Sequence, residues 1–437
     1  MSFVPIAEVF VRPREAGSVV GWRAGETVTW AAFRARVAAL ASRLDSDAVL
    51  ACEKPLNFLA ALLALWSRGR QALVPPSLQP AAVSAIAGPA LRDSDVEAAT
   101  GSSELALPPA AQCRLALYTS GSSGAPKRVD KTLAQLDREL ENLHALWGDV
   151  LARSAVLATV PHHHIYGLLF RLLWPLAAAR PADEATSVDP VELRAAAAQR
   201  GRHVLVSTPA HLDRFPGLLA LSQWHRPEMI FSSGGPLAAP TAALYRGAFG
   251  AAPVEVFGST ETGGVAWRRR DGAADEEAWR PFPGIAVSVD EEGALVLDSA
   301  YLPSRDWRMD DAATLLGDGR FVLRGRLDRV VKIEGKRLSL PELEQRLQSH
   351  EWVEAACAVP LPAPLRLGAV VVPTREGAAA LQRLGARATG EALRRHLAPA
   401  FDATLLPKRF RFVAALPVSE RGKVVPQALA KLFTRGA

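Results

Sequence analysis

Apolar residues recur at helical spacing in some stretches of the chain and in short solid runs in others. Phe33, Val37, Leu40 and Leu44 share one helical face over 29–44, and Leu133, Leu136, Leu140, Leu143 and Trp147 repeat the pattern further on. The short segments 115–118, 155–160, 204–206, 229–231 and 254–256 read as strands. Asp189 with Pro190 opens a helix through Gln199, because proline suits the first helical turn. Strands alternating with helices predict an α/β sheet, whose ligands collect at the carboxyl ends of its strands. From Gly284 the pattern changes to strands and turns, at 294–297, 320–323 and 330–333. Ser339-Leu340-Pro341-Glu342 then caps a helix through Gln348, and strands follow near 355–359, 369–372 and 411–413. A smaller α+β unit is expected to begin near Asp328.

Composition narrows the class of protein. With 437 residues, 49% hydrophobic and 22% charged, the chain has material for two or three folded domains or subdomains. The net charge of +6 is spread over scattered arginines, with no basic run of five or six, and no nucleic-acid-binding motif accompanies it. Anionic substrates suit that balance. The densest cluster, Arg268-Arg269-Arg270, reads as a solvated basic turn, or as a face for an acidic partner. Cys52, Cys113 and Cys357 form no CxxC pair, so neither a disulfide framework nor a zinc site is expected, and a reducing cytoplasm fits. Residues 1–5 lack the basic start of a signal peptide, and the apolar stretches 58–66 and 168–179 are too short to span a bilayer.

The densest chemistry lies in Tyr118-Thr119-Ser120-Gly121-Ser122-Ser123-Gly124-Ala125-Pro126-Lys127-Arg128. Glycines let main-chain N–H groups approach an anion, while the hydroxyls of Thr119, Ser120, Ser122 and Ser123 add donors and Lys127 adds charge. A triphosphate is the natural guest of such a cradle. The Walker A spacing G-x-x-x-x-G-K-[ST] is not met, since Gly121 and Gly124 stand three apart and Pro126 separates Gly124 from the lysine. A strand is expected to enter this loop and a helix to leave it. Further on, Pro161-His162-His163-His164-Ile165-Tyr166-Gly167 places three histidines in a row. Adjacent side chains cannot converge on one ion, so a single pocket-lining histidine is expected rather than a metal site. Strand-then-glycine recurs at Ser232-Ser233-Gly234-Gly235-Pro236 and at Phe257-Gly258-Ser259-Thr260-Glu261-Thr262-Gly263-Gly264, and these loops are expected to share one cleft.

With the cradle, 257–263, 325–336 and 417–423 in this order, the chain resembles the adenylate-forming superfamily of acyl- and aryl-CoA synthetases, luciferases and peptide-synthetase adenylation domains. The resemblance implies an α/β fold with a large N-terminal domain, layered α/β with an associated β-subdomain, over 1–326. A small mobile α+β C-terminal domain over 327–437 would follow, hinged near Asp328. It implies two reactions: a carboxylic acid and ATP give acyl-adenylate and pyrophosphate, and a thiol then takes the acyl group. ATP and Mg²⁺ are the implied cofactors, with the phosphopantetheine thiol of coenzyme A or of an acyl carrier protein as acceptor.

The resemblance also assigns residues. Thr119 to Lys127 would hold the β- and γ-phosphates. Gly234, Gly235 and Pro236 would wall an adenine slot opposite Phe257, where the family usually has tyrosine, with Gly258 and Ser259 following. Thr260 would meet the α-phosphate and the substrate carboxylate, and Glu261 would help hold Mg²⁺. Asp311 matches the acid that accepts the ribose hydroxyls and Arg326 a second ribose or phosphate contact. The family's usual Thr-Gly before that acid is Met309-Asp310 here, which leaves Asp310 as an alternative. Lys423 matches the lysine of adenylation. Lys332, Gly335 and Lys336 match the segment that faces the cleft after rotation, and His164 the histidine beside the acyl pocket.

Only 117 residues precede Tyr118, a shortened front for this family. The 258–269 segment is similar to ligases that sit beside carrier proteins in bacterial aryl-polyene and fatty-acid-like pathways. That likeness points to an aryl acid such as a hydroxybenzoate, or to a short or medium acyl chain. A catalytically idle adenylate-binding module is the alternative, motivated by Met309-Asp310 and the shortened front. Lys127, Glu261, Arg326 and Lys423 argue against it.

Overall fold

Four of the short runs of the sequence, at 155–160, 204–206, 229–231 and 254–256, supply neighbouring parallel strands at the centre of one sheet. The structure, a computed structural model, describes residues 3–120, 126–272, 275–302, 304–333, 336–361, 366–417 and 424–433. Of Ser120, Pro126, Asp328, Val330, Lys332, Lys336, Arg337, Pro426 and Gln427 the backbone alone is described. Two compact units emerge, 1–287 with 298–307, and 288–297 with 308–437. Compactness thus divides the chain earlier than the 326/327 boundary expected from sequence. The reason is local: Gly325 lies against Pro341 and Ser339 at the start of the next helix, so the preceding sheet groups with C-terminal elements.

In the first unit a nine-stranded sheet runs in the order Arg280–Pro281, Gly263–Arg269, Val254–Ser259, Met229–Ser233, His203–Ser207, Ala155–Ala158, Ala182–Thr186, Val19–Arg23 and Glu26–Thr29. Strands from Val254–Ser259 through Val19–Arg23 are parallel, and antiparallel pairs close both edges. A parallel sheet needs both faces covered. Val156, Val204, Val206 and Phe231 pack with the helix Leu133–Leu151 on one face. Leu157, Leu205 and Ile230, the alternate residues, pack with the helices Pro190–Arg200, Pro209–Leu218 and Ala239–Phe249 on the other. From Ala155–Ala158 the chain passes to Ala182–Thr186 on one side and then to His203–Ser207 on the other. Strand order reverses there, and at such a point a crevice opens at the carboxyl ends.

The front of the chain, in which the sequence shows no chemistry, builds the platform for the cradle. Ala90–Leu91, Ala48–Leu50, Ala72–Val74, Arg114–Ser120 and Pro126–Thr132 form a five-stranded sheet in that order. The helix expected to leave the cradle starts later: Pro126–Thr132 is a strand paired antiparallel with Arg114–Ser120, and the helix begins at Leu133. Thr132 caps that helix in a reciprocal pair with Gln135. The described residues on either side of 121–125 are therefore paired strands rather than a strand and a helix.

The second unit contains a four-stranded sheet ordered Ile285–Val289, Ala294–Ser299, Trp307–Leu315 and Phe321–Arg326, whose first strands run across the division. The hairpin Val330–Ile333 with Lys336–Ser339 follows. Val353–Leu361 and Arg366–Pro373 pair antiparallel, with Arg409–Phe412 parallel beside them. Leu343 and Leu347 of the Ser339-capped helix Leu340–Gln348 meet Ala369, Val371, Leu393 and Leu397 in its core. Among the described residues no helix is long and apolar enough to cross a membrane.

Candidate functional site

Four loops leave neighbouring parallel strands at one edge of the large sheet, after Ala158, Ser207, Ser233 and Ser259. The turn 260–262 joins Val254–Ser259 to Gly263–Arg269 and is held tightly. Ser259 N donates to Thr262 Oγ1 at 3.0 Å, and Thr262 N donates to Ser259 Oγ at 3.1 Å. A side chain at Gly258 would collide with the Gly263 carbonyl, so the approach of the two strands requires glycine there.

The cradle hairpin meets this turn. Lys127 Nζ lies 2.7 Å from Glu261 Oε1, and Lys131 Nζ donates to the Glu261 main-chain oxygen at 2.8 Å. Lys127 pairs with Thr119 and Lys131 with Leu115, which puts both lysines on one face of the hairpin. Half-burial works to raise the Glu261 pKa, but hydrogen bonds from Lys127, a main-chain N–H and Ser259, with the lysine charge, hold it below the usual carboxylate range. Burial lowers the Lys131 pKa against the charges of Glu139 and Glu261. Glu139, buried behind the turn, is pushed up to about 7 by burial, against Lys131 and the Gly264 N–H that it accepts at 2.9 Å. Its Oε1 is buried with no hydrogen-bond partner among the described residues. Gly263, at φ +70°, leaves room for that carboxylate.

Beside this turn, Ser233 Oγ donates to the Val256 carbonyl at 2.8 Å, so 234–236 and Phe257 leave adjacent strands together. Phe257 lies 5.5 Å from the Trp279 ring. At the reversal point, Thr159 Oγ1 meets Ser207 Oγ at 2.9 Å and His211 Nδ1 at 2.8 Å. His164 caps the short helix Ile165–Gly167, half-buried, with its ring 4.4 Å from that of His163. His162 is a core residue: its Nε2 meets the Cys52 carbonyl at 3.0 Å and its ring packs edge-on to Phe58. Arg171, fully buried, donates to the Val160 carbonyl and fixes the start of the histidine segment.

The first unit thus brings together Thr119, Lys127, Thr260 and Glu261, and sets 234–236 and Phe257 to Ser259 beside them. Asp310, Asp311 and Arg326 lie in the second unit. There Asp311 stands directly across the strand pair from Arg326, with oxygens of Asp311 and Asp310 at 3.9 and 3.4 Å from its guanidinium. Gly121, Ser122, Ser123, Gly124, Gly335 and Lys423 lie outside the described residues, as do the side chains of Ser120, Lys332 and Lys336 and that of Asp328.

The reading of 268–270 as a solvated turn or partner face is corrected for two of its residues. Arg268 and Arg270 are 5% and 6% exposed, because Glu255 in the next strand and Glu277 pair with both. Sequence reasoning missed Lys131, Glu139, Glu255 and the Thr159–Ser207–His211 cluster. Two of these carried a signal: Glu139 sits on the apolar face defined by Leu136, Leu140 and Leu143, and Glu255 is flanked by Val254 and Val256 in a buried strand.

Comparison with known proteins gives this geometry a lineage. The family described as AMP-binding enzyme matches residues 78–303, over half of the chain, and the AMP-binding enzyme C-terminal domain matches 342–423. The 4-coumarate–CoA ligase of Rhodobacter capsulatus is 32% identical over 323 residues, which cover 70% of this chain and 73% of that protein. The sulfoacetate–CoA ligase of Cupriavidus necator is 27% identical over 351 residues, 71% of this chain and 65% of that protein. In fold, ATP-bound MatB from Rhodopseudomonas palustris superposes with a TM-score of 0.80 at 18% identity over 98% of both chains. A benzoate CoA ligase from Burkholderia xenovorans gives 0.78 at 19% identity, over 98% of this chain and all of that one. The chain belongs to the AMP-binding enzyme family and is an adenylate-forming, ATP-dependent acid–thiol ligase.

Proposed function

We propose that this ligase activates an aryl carboxylic acid, such as a hydroxybenzoate, and passes it to the phosphopantetheine thiol of coenzyme A. The observation that carries the reading is the meeting of the cradle hairpin with the 260–262 turn through Lys127 and Glu261. Relatives named for 4-coumarate and a structural neighbour named for benzoate support the aryl class. A short or medium acyl chain, and a carrier protein as acceptor, are the competing outcomes of the test below.

In this reading a substrate carboxylate oxygen attacks the α-phosphorus of ATP, the bond to the β-phosphate bridging oxygen breaks, and pyrophosphate leaves. Lys127 and the 119–124 segment hold the departing phosphates and offset their growing charge. Thr260 orients the α-phosphate and the carboxylate, and 234–236 with Phe257 seat the base. The Glu261 carboxylate, now paired with Lys127, is a hard oxygen donor of the kind that Mg²⁺ takes, so its chemistry fits that ion. Bound there, Mg²⁺ would supply charge neutralisation of the triphosphate. Asp311, with Asp310 as its alternative, and Arg326 would hold the ribose, and Lys423 would serve adenylation. After rotation about Asp328, Lys332, Gly335 and Lys336 would face the thiol, whose sulfur takes the acyl group and releases AMP. His164 would line the acyl pocket.

The test is product analysis. The purified chain with ATP and Mg²⁺ is offered benzoates, cinnamates and fatty acids, with coenzyme A or an acyl carrier protein, and thioesters are read by mass. Benzoyl- or cinnamoyl-CoA as the dominant product supports the reading. Thioesters of fatty acids alone, or of the carrier alone, would overturn the corresponding half of it.

A further inference from the structure

The cluster around Glu255 has a place in the fold that its charge alone does not explain. Glu255 is 2% exposed and belongs to the strand that ends in Phe257 and Ser259. A carboxylate buried this far costs heavily unless donors surround it. Here Arg268 Nε reaches Oε1 at 2.9 Å and Arg268 Nη2 reaches Oε2 at 3.0 Å, a two-pronged pairing that fixes orientation as well as distance. Arg270 Nη1 reaches Oε1 at 2.5 Å.

Glu277 pairs with both arginines, and a further partner of this cluster is the main chain of Leu237. Its N–H donates to Glu255 Oε2 at 3.0 Å, and its carbonyl accepts from Arg270 Nη1 at 2.9 Å. Leu237 ends the segment that begins with Gly234, at φ +90°, and Gly235. Among the described residues a side chain at Gly234 would meet nothing within 4 Å, and one at Gly235 only Pro209. Two glycines with so little lateral packing let the segment take many conformations, so its position depends on how its ends are held, by Ser233 at one and Leu237 at the other. On the other side, the Arg268 guanidinium stacks over Trp279 at 4.3 Å, and the Trp279 ring lies 5.5 Å from Phe257. Contacts therefore run without a break from Leu237 through Glu255, Arg268 and Trp279 to Phe257.

We propose that Glu255 is a positioning residue for the nucleotide base, tying the 234–237 segment to the strand pair that carries Phe257. The inference rests on the reading of 234–236 and Phe257 as the two walls of the base slot. Glu255 itself touches no substrate. It sets the spacing of the walls before the nucleotide arrives, so that binding does not have to order the glycine segment.

The experiment measures AMP binding by calorimetry, and KM for ATP and for the acid, in the full chain and in Glu255→Gln, Phe257→Ala and Arg270→Lys. Melting temperature is recorded in parallel. Glu255→Gln keeps shape and loses charge. It is expected to weaken AMP binding and raise KM for ATP about tenfold while KM for the acid stays within about twofold. Wild-type affinity for AMP in a folded Glu255→Gln protein overturns the inference, as does an equal rise in KM for ATP and acid. If Glu255→Gln does not fold, Arg270→Lys carries the test, since it keeps a cation beside Glu255 but gives up the bond to Leu237. A threefold to tenfold loss of AMP affinity, on the order of 1 kcal/mol, is expected there, and no loss overturns the inference. Phe257→Ala separates the two ideas. Weakened AMP binding in Phe257→Ala with none in Glu255→Gln removes the inference alone, whereas unchanged binding in Phe257→Ala removes the slot and the inference with it.

Discussion

Lys127 Nζ and Glu261 Oε1 stand 2.7 Å apart across 134 residues of chain, with the lysine 60% and the glutamate 25% exposed. A pair so open to water holds by roughly 0–1 kcal/mol. Each member is proposed to meet a ligand of opposite charge, the lysine a phosphate and the glutamate Mg²⁺. The pair balances the two charges and would give way at little cost when the nucleotide arrives.

Lys127→Ala is accordingly expected to raise KM for ATP about tenfold to a hundredfold, the worth of a charged hydrogen bond to phosphate. KM for the acid should change far less. Steady-state ATP kinetics check this, and unchanged values would take Lys127 out of the site.

Lys131 acts from beneath. It is 3% exposed and donates to the main-chain oxygen of Glu261, with Glu139 as a nearby counter-charge. Lys131→Met leaves that oxygen without its donor, and kcat/KM for ATP is expected to fall about tenfold or more, with Lys131→Arg recovering part. A folded Lys131→Met enzyme with wild-type kcat/KM would contradict the role.

What the sequence made legible follows from local pattern. The helix Leu133–Leu151 was readable because its apolar residues repeat at its own period, and Ser339 announced the next unit's first long helix by its cap. The strand Pro126–Thr132 was not readable. Its residues are largely polar or charged, and it is a strand because it pairs with Arg114–Ser120 and sends its lysines to a turn some 130 residues away. Arg268 and Arg270 misled for the same reason, since their burial depends on Glu255 and Glu277. Long-range partners are set by topology, which local periodicity does not encode.

Asp137 gives a pH dependence of stability. Its carboxylate accepts from Ile6 N at 2.8 Å and Ala7 N at 3.1 Å, and burial pushes its pKa up to about 6 although both N–H groups pull it down. The folded state therefore holds this proton more tightly than the unfolded chain, whose carboxyl titrates near about 3.9. Stability from this group is fully present below that value and is lost as pH rises through about 6. Relative to Asp137→Asn, the wild-type melting temperature is expected to fall by roughly a few degrees between about pH 4 and pH 7. A constant difference across that range would contradict the assignment.

Lys423 is expected to serve the first half-reaction alone. Lys423→Ala should abolish acyl-adenylate formation and spare thioester formation from added acyl-adenylate. Equal loss in both halves would contradict a rotation of the small domain between them.

The most direct measurement of the central claim is acid-dependent ATP–pyrophosphate exchange by the wild-type chain and by Lys127→Ala, over benzoates, cinnamates and fatty acids. The account predicts exchange that requires an aryl acid and that, in the variant, needs about tenfold or more ATP to reach the same rate. Exchange independent of any acid, or a variant indistinguishable from wild type, would contradict it.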